Sequence, residues 1–246
     1  MKICIAQTKP IKGNVSVNIK AHKKFIELAV ILNADAIFFP ELSLTGYEPE
    51  LAKKLATNQN DNRLDIFQET SDKNNIIIGL GLPTAIESQI RISMIIFEPN
   101  KPRMTYSKQQ LHSDEFPYFE NGVGQVIIKT HDKNIAPAIC YESLLPTHCE
   151  NAFKLGADVY IASVAKPANG VEKAFNYFPK VAKQYAMPVL MSNCVGFCDN
   201  FLSVGNSAVW TKEGELAGQL DDKMEGILLF DTETEEVAER IIKNNR

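Results

Sequence analysis

The chain has 246 residues, of which 45% are hydrophobic and 23% charged, and its formal net charge at pH 7 is −4. This much apolar material excludes an intrinsically disordered chain, and the acidic balance without a Lys/Arg-rich stripe argues against nucleic acid and anionic membranes as partners. No apolar run reaches the roughly 18–20 residues of a membrane span, and the N-terminal MKICIAQTKP holds too few apolar residues for a signal-peptide core.

Short apolar runs predict ten strands in chain order, and several are continuous, as expected of strands covered on both faces. The predicted strands are 2–6, 36–40, 75–80, 91–97, 125–129, 134–140, 158–163, 188–193, 207–210 and 226–230. A helix is predicted after the first strand, capped by Asn14 or Ser16, with a stripe of Ala21, Phe25, Leu28 and Leu32. Further helices are predicted over 61–73 and 171–186.

The alternation of strands and helices indicates an α/β protein with a mixed sheet, or two packed sheets with helices outside. No linker, charge run or repeat divides the chain, so we expect one domain over residues 1–246, with 232–246 as a C-terminal tail. The odd set of five cysteines has no disulfide-framework spacing, which suits a reducing compartment and predicts a cytoplasmic protein.

Three residues that can carry chemistry stand at or just beyond predicted strand ends, where sites gather in α/β sheets. Glu41 follows AIFFP, Cys140 closes NIAPAI, and Lys108 lies in the polar segment MTYSKQQLHSDEF. Each also has a plain structural explanation: a carboxylate at a helix start, a solvated surface amine and a small core residue.

A thiol is mostly protonated near pH 7 and needs a base to become a nucleophile. The four histidines, His22, His112, His131 and His148, show no local signature of a cysteine protease. A carboxylate can serve instead if burial raises its pKa towards neutrality, and Glu41 behind an apolar strand is placed for that.

The stretches FFPELSLTGYEPE, YSKQQL and ICYES together resemble the nitrilase superfamily, the carbon–nitrogen hydrolases with a Glu-Lys-Cys triad. Further similar pieces are SNCVG, GNSAVW and EGILLF, so the resemblance extends over about residues 1–231. It implies a four-layer α-β-β-α sandwich of two packed mixed sheets, and a homodimer or higher homo-oligomer.

The resemblance also implies roles for individual residues. Cys140 would be the nucleophile, Glu41 the general base and Lys108 the stabiliser of the tetrahedral intermediate. Glu115 matches a second glutamate that helps to orient the lysine and the substrate, and the backbone N–H of Tyr141 would share the oxyanion hole. The neighbouring Glu142 is expected to support the turn without taking part in catalysis.

Two departures from the family pattern concern the substrate pocket. The segment Leu145-Pro146-Thr147 stands where many members have Phe-Pro-Glu, and Gln110 stands where a histidine is common. We therefore expect a hydrolase of a non-peptide carbon–nitrogen bond, in a small amide or N-carbamoyl compound, without naming the branch. Nitrile hydrolysis, acyl transfer by the same triad and a non-catalytic binding member of the fold are the alternatives.

No cofactor or metal is predicted. Cys194 and Cys198 are spaced C-x3-C, but the second close-spaced pair of a structural zinc site is missing. Cys194 is expected near the pocket edge after a strand, and Cys198 in a loop. Neither G-x-G segment, GLGLP nor GVGQV, completes a dinucleotide-binding motif.

Overall fold

Two β-sheets lie face to face in the computed structural model, which describes residues 1–242, and helices cover their outer faces. The strands are β1 (Lys2–Gln7), β2 (Ala36–Phe38), β3 (Ile77–Ile86), β4 (Gln89–Phe97), β5 (Met104–Ser107), β6 (Ile128–Lys129), β7 (Asn134–Ile139), β8 (Val159–Val164), β9 (Val189–Asn193), β10 (Val195–Cys198), β11 (Phe201–Val204), β12 (Ala208–Trp210), β13 (Leu216–Gln219), β14 (Gly226–Asp231) and β15 (Val237–Ile241). The α-helices are α1 (Val15–Ile31), α2 (Ala52–Leu55), α3 (Asp65–Asn74), α4 (Pro146–Lys154) and α5 (Ala168–Tyr185).

Each large sheet is mixed and is built around three parallel strands. The first has the order β15-β14-β1-β2-β3-β4-β5, with β1, β2 and β3 parallel. The second has the order β13-β12-β9-β8-β7-β6, with β7, β8 and β9 parallel. Helices lie between successive parallel strands in both sheets, as parallel pairing requires of its crossover connections. Strands β10 and β11 form a separate hairpin.

Alternate side chains of the central strands enter different layers of the core. In β1, Ile3 and Ile5 pack between the sheets, whereas Cys4 and Ala6 pack towards α1 and α3. The second sheet repeats this arrangement, because Ile161 of β8 packs between the sheets and Tyr160 packs against α4 and α5. Burial of both faces explains why these strands read as continuous apolar runs, and it confirms the predicted four-layer α-β-β-α sandwich.

Helix α1 begins after Asn14, whose side chain accepts a hydrogen bond from the Val17 N–H, so the predicted cap is confirmed. Of the predicted stripe, Phe25 is fully buried, and Leu28 and Leu32 are partly buried against the same core. The buried face also includes the polar residues Asn18 and His22. Their burial is possible because Asn18 bonds to the Leu44 carbonyl and His22 to the Ser43 hydroxyl.

The region from 232 onward, predicted as a tail, contributes a strand to the first sheet. Val237–Ile241 form β15, which pairs antiparallel with β14 at the sheet edge. The strand was missed because VAERI is half polar, as is usual of an edge strand with one wet face. Residues 243–246 lie outside the described part of the chain.

Over residues 1–242, no helix combines the length and the apolar composition needed to cross a membrane.

The core between the sheets yields a stability prediction. Ile161→Ala removes a fully buried side chain, and we expect the free energy of unfolding to fall by about 2–5 kcal/mol. Ile31→Ala deletes the same atoms from a side chain that is 73% exposed, and should change stability by no more than about 0.5 kcal/mol. Urea denaturation followed by circular dichroism measures both, and equal losses would contradict the proposed packing.

Candidate active site

Strand ends from both sheets deliver the candidate side chains to one place. Glu41 lies in the turn after β2, Lys108 directly follows β5, and Cys140 directly follows β7. The Glu41 turn passes close over Gly81 of β3. A Cβ added at this position would lie only 2.7 Å from the Pro40 carbonyl oxygen, so the absence of a side chain at Gly81 leaves room for the turn that carries Glu41.

Lys108 is fully buried and holds two carboxylates together. Its Nζ donates to Oε1 of Glu41 at 2.8 Å and to Oε1 of Glu115 at 2.6 Å. Burial by itself would lower the pKa of Lys108, but the two carboxylates reverse this and raise it above its ordinary value. The ammonium therefore stays charged, and since it has three N–H donors, one remains for a further acceptor.

Glu41 has the properties of a carboxylate held ready to accept a proton. Burial raises its pKa to about 7; the positive charge of Lys108 opposes this rise, and the negative charge of Glu115 adds to it. One oxygen, Oε1, accepts from Lys108, whereas Oε2 is buried and has no hydrogen-bond partner among the described residues. A buried, unpaired carboxylate oxygen is costly unless it serves a purpose, and proton uptake is one.

Cys140 stands in a sharp turn and lines a pocket. Its φ angle is +48°, a left-handed conformation that is uncommon for a non-glycine residue and that concentrates at functional sites. The thiol lies 3.8 Å from the Ala165 carbonyl. Burial, together with the charge of Glu41, raises the pKa of Cys140 to about 12, against the opposing charges of Lys166 and Lys108. The resting group is therefore a neutral thiol, which requires a base.

Glu115 is held by donors from three directions. Besides Lys108, its Oε1 accepts from the Tyr47 hydroxyl at 2.9 Å, and its Oε2 accepts from the backbone N–H of His112 at 2.7 Å. These hydrogen bonds hold the Glu115 carboxylate in position beside Lys108. The structure thus brings Glu41, Lys108, Glu115 and Cys140 together in one cluster, coupled through their charges.

Glu142 connects the Lys108 segment to the Cys140 turn. Its Oε1 accepts from the Tyr106 hydroxyl at 2.6 Å and from the Ile139 N–H at 2.8 Å. Its Oε2 accepts from the backbone N–H of Gln109 at 2.6 Å and, more weakly, from that of Gln110 at 3.3 Å. One fully buried carboxylate therefore bonds to the chain immediately before Cys140 and to the chain on both sides of Lys108.

The histidine nearest Glu142 does not form an ion pair with it. Nε2 of His148 lies 3.7 Å from Oε1 of Glu142, but burial lowers the pKa of His148 to about 4, so the imidazole is neutral near pH 7. Its ring nitrogens instead bond to the hydroxyls of Tyr106 and Tyr160. Both ring nitrogens of His148 are therefore occupied by tyrosine hydroxyls and not by the Cys140 thiol.

The pocket in front of Cys140 has a volume of about 440 Å³. Its walls come from the Cys140 turn, the segment after β8 and the start of α5, with Tyr47 and Phe201 on another side. Tyr141 stands at the edge of this pocket, 36% exposed, with its ring edge-on to His112 at 5.3 Å between centroids. Its N–H belongs to the first turn of the short 3-10 helix Cys140–Leu144, where N–H groups have no acceptor within the helix.

Two residues at the site were not found from the sequence. Tyr47 binds Glu115 and lies inside the stretch that carries Glu41, so its hydroxyl could have been suspected. Lys166 is 4% exposed and lines the same pocket as Cys140. It follows the apolar strand β8 as Glu41 follows β2, and the same strand-end argument could have identified it.

Cys194 and Cys198 are both buried, with 3.4 Å between their sulfur atoms, and neither lines the pocket. Cys198 closes β10, so its expected place in a loop is wrong; the polar turn after it hid the hairpin. Across residues 1–242, no group of three or more His, Cys, Asp or Glu side chains is arranged to hold a metal ion.

A second cleft, of about 470 Å³, lies where the parallel strands of the first sheet begin, around Met1, Asp35 and Ile77. It is similar in size to the Cys140 pocket but is lined by none of the candidate residues. Because sites in α/β sheets gather at the carboxyl ends of strands, the Cys140 pocket is the candidate active site.

Comparison with known proteins identifies related sequences. The family model described as carbon-nitrogen hydrolase matches residues 2–241. A glutamine-dependent NAD(+) synthetase of Acinetobacter baylyi is 27% identical over 231 residues, which are 89% of this chain and 41% of the relative. The protein called hydrolase in agr operon of Staphylococcus aureus is 22% identical over 98% of this chain and 94% of its own length. The chain spans about two fifths of the length of the NAD(+) synthetases it matches.

Solved structures share the fold. The NitN amidase from Nesterenkonia sp. AN1 superposes with a TM-score of 0.86 at 19% identity, over 94% of this chain and 92% of the amidase. A mutant of that amidase in complex with butyramide has a TM-score of 0.85 at 19% identity, over 93% of this chain and 89% of the other. At this identity the likeness concerns the fold.

The role of Glu142 can be tested by Glu142→Gln, which keeps the shape but replaces an acceptor oxygen with an N–H donor. At least one buried N–H group then faces a donor, so we expect the free energy of unfolding to fall by about 1–3 kcal/mol. Amide hydrogen exchange should quicken at Gln109 and Gln110 if the new amide nitrogen takes the place of Oε2, or at Ile139 if it takes the place of Oε1. Glu150→Gln, on the exposed face of α4, is the matched control, and unchanged exchange at all three positions would contradict the assigned role.

Proposed function

The chain belongs to the carbon-nitrogen hydrolase family, and from this we propose that it hydrolyses a small amide or N-carbamoyl compound through a thioester on Cys140. The observation that carries the proposal is the cluster beside one pocket. It contains a partly exposed thiol, a carboxylate whose pKa is raised to about 7, and a buried ammonium. These are a nucleophile, a base and a fixed positive charge, the three groups that acyl transfer through a covalent intermediate requires.

In the first half-reaction, Glu41 accepts the Cys140 proton on its free oxygen, Oε2, as the sulfur attacks the carbonyl carbon. The pKa of about 12 for the thiol, against about 7 for the carboxylate, means that proton transfer accompanies attack. When the tetrahedral intermediate collapses, Glu41 returns the proton to the departing nitrogen, and ammonia or an amine leaves. Proton transfer of this kind contributes about 10²–10⁴ in rate.

The oxyanion of the intermediate needs donors that are already in place. Lys108 has one N–H beyond those that bind Glu41 and Glu115, and the N–H of Tyr141 is the second proposed donor. Because hydrogen bonds to two carboxylates already hold the Lys108 ammonium in position, it does not have to move when negative charge develops on the substrate oxygen. One such donor contributes about 2.7–4 kcal/mol to lowering the barrier.

In the second half-reaction, water replaces the amine. Glu41 accepts a proton from water while the water oxygen attacks the thioester carbon. The carbon–sulfur bond then breaks, and Glu41 returns the proton to the thiolate of Cys140. The products are the free acid and the resting thiol, so no redox partner or cofactor is required. The names of the relatives support an amide substrate, since they include an amidase structure with butyramide and glutamine-dependent enzymes.

The nucleophile is tested by Cys140→Ala. We expect ammonia release from a panel of amides, N-carbamoyl compounds and nitriles to fall by at least about 10³-fold, because no other group can form the thioester. Cys4→Ala removes a thiol that is buried in the first sheet, away from the pocket, and should keep most of the activity. Full ammonia release by Cys140→Ala would contradict the mechanism.

The pH dependence tests Glu41 and Glu115 together. Glu41 must be ionised to accept a proton, so kcat/KM should fall as the pH drops through about 7. Glu115→Gln removes a negative charge that raises the pKa of Glu41, so the acidic limb should move to lower pH while the maximal rate falls. A pH–rate profile from pH 5 to 9 measures this shift. An acidic limb that stays at the same pH or moves to higher pH would contradict the role of Glu41 as the base.

A further inference from the structure

Lys166 places a positive charge in the active-site pocket without a partner. The residue is 4% exposed and lines the pocket together with Cys140. Among the described residues, its ammonium takes part in no hydrogen bond or ion pair, whereas Lys108 binds two carboxylates. Because Lys166 lines the pocket and its ammonium bonds to none of the described side chains, an anion that enters the pocket would gain a charge-assisted hydrogen bond by pairing with it.

The backbone of Lys166 is rigidly held. Its N–H donates to Oδ1 of Asn193 at 2.9 Å, and its carbonyl accepts from Asn193 Nδ2 at 3.3 Å and from the Ser203 hydroxyl at 3.1 Å. The side-chain stem lies against α5, where a Cβ added at Gly170 would be 3.2 Å from Lys166 Cβ. Such fixation suits a binding group, because little further ordering is needed when the ligand arrives.

The first turn of α5 adds to the positive potential at the same wall. This helix has 18 residues, its first residues Asn169 and Gly170 line the pocket, and no side chain caps it after Pro167. The N–H of Gly170 already donates to the Pro167 carbonyl at 2.9 Å. The N–H groups of Ala168 and Asn169, which precede it, lack acceptors within the helix, and such leading N–H groups attract anions. The nearest exposed acid at the pocket edge, Asp114, is already bonded to His112.

We propose that Lys166 and the start of α5 bind a carboxylate of the substrate, so that the substrate is a short molecule with an amide at one end and a carboxylate at the other. This inference rests on the proposed amide hydrolysis at Cys140. The pocket volume of about 440 Å³ fits a chain of a few carbons that reaches from the thiol to Lys166.

Lys166 has a rival explanation, because its charge also lowers the pKa of Cys140, although burial and Glu41 raise it overall. A lysine that serves only the thiolate would speed the reaction of charged and neutral amides equally. A lysine that binds a carboxylate would act only on substrates that carry one. The ratio of kcat/KM for two substrates of equal length therefore separates the two roles.

The experiment compares glutaramate with pentanamide, in which a methyl group replaces the carboxylate. The wild type should prefer glutaramate by at least tenfold in kcat/KM. Lys166→Met should lower this ratio by about 10–100-fold, the loss expected of one charged hydrogen bond, mainly through KM. Lys166→Arg should restore part of the ratio, and Lys180→Met, an exposed lysine on the same helix, should leave it unchanged. Equal losses with both amides would overturn the proposal.

A binding measurement separates failure of this inference from failure of the proposed function. Calorimetry of glutaramate with Cys140→Ala should show binding that weakens at least tenfold when Lys166→Met is added. If this holds but the wild type releases no ammonia, the proposed hydrolysis is wrong and the carboxylate site stands. The opposite outcome is that the wild type hydrolyses pentanamide and glutaramate alike, and that adding Lys166→Met to Cys140→Ala does not weaken glutaramate binding. In that case the carboxylate site is wrong and the hydrolysis stands. Thermal melts confirm that the variants fold.

Discussion

The ion cluster of Glu41, Lys108 and Glu115 is the constraint on which the rest of the site depends. A fully buried ammonium is tolerated only when carboxylates surround it with good geometry. Here the two carboxylates, Glu41 and Glu115, come from separate segments of the chain. Because one carboxylate follows the central strand β2 and the lysine follows the edge strand β5, the cluster joins the middle of the first sheet to its edge. Burial raises the pKa of Glu41 into the range of a useful base, and the negative charge of Glu115 adds to this rise although Lys108 opposes it.

Buried polar side chains outside the cluster keep the turns in place. Glu142 accepts from the Tyr106 hydroxyl before Lys108, from the backbone N–H of Gln109 after it, and from the backbone N–H of Ile139 just before Cys140. The positions of the nucleophile and the ammonium are therefore coupled through one carboxylate. Asn193 does the same for Lys166 from the end of β9. The left-handed conformation of Cys140 is held by this surrounding network. Functional geometry here therefore depends as much on satisfied buried acceptors as on the reacting groups.

The four-layer architecture explains why the reactive side chains meet at one pocket. Each large sheet is covered on both faces, so its central strands are mainly apolar until they emerge at their carboxyl ends. Glu41 follows β2, Cys140 follows β7 and Lys166 follows β8, which are all parallel strands of their sheets. Packing of the two sheets face to face brings these ends together. The pocket is thus lined by the proposed nucleophile Cys140 on one side and by the proposed carboxylate-binding groups, Lys166 and the start of α5, on the other.

The sequence by itself determined the strand runs, the α/β class, and the identity of Glu41, Lys108, Glu115 and Cys140 as candidates, because buried strands and ordered motifs are local patterns. It did not predict the hairpin of β10 and β11 or the edge strand β15, whose residues are partly polar. The predicted helix stripe also did not include Asn18 and His22, whose burial depends on tertiary hydrogen-bond partners. Only the tertiary structure decided that Lys108 binds two carboxylates, whereas the Lys166 ammonium bonds to none of the residues 1–242. Pairing and burial depend on contacts between residues far apart in the chain, which no local pattern contains.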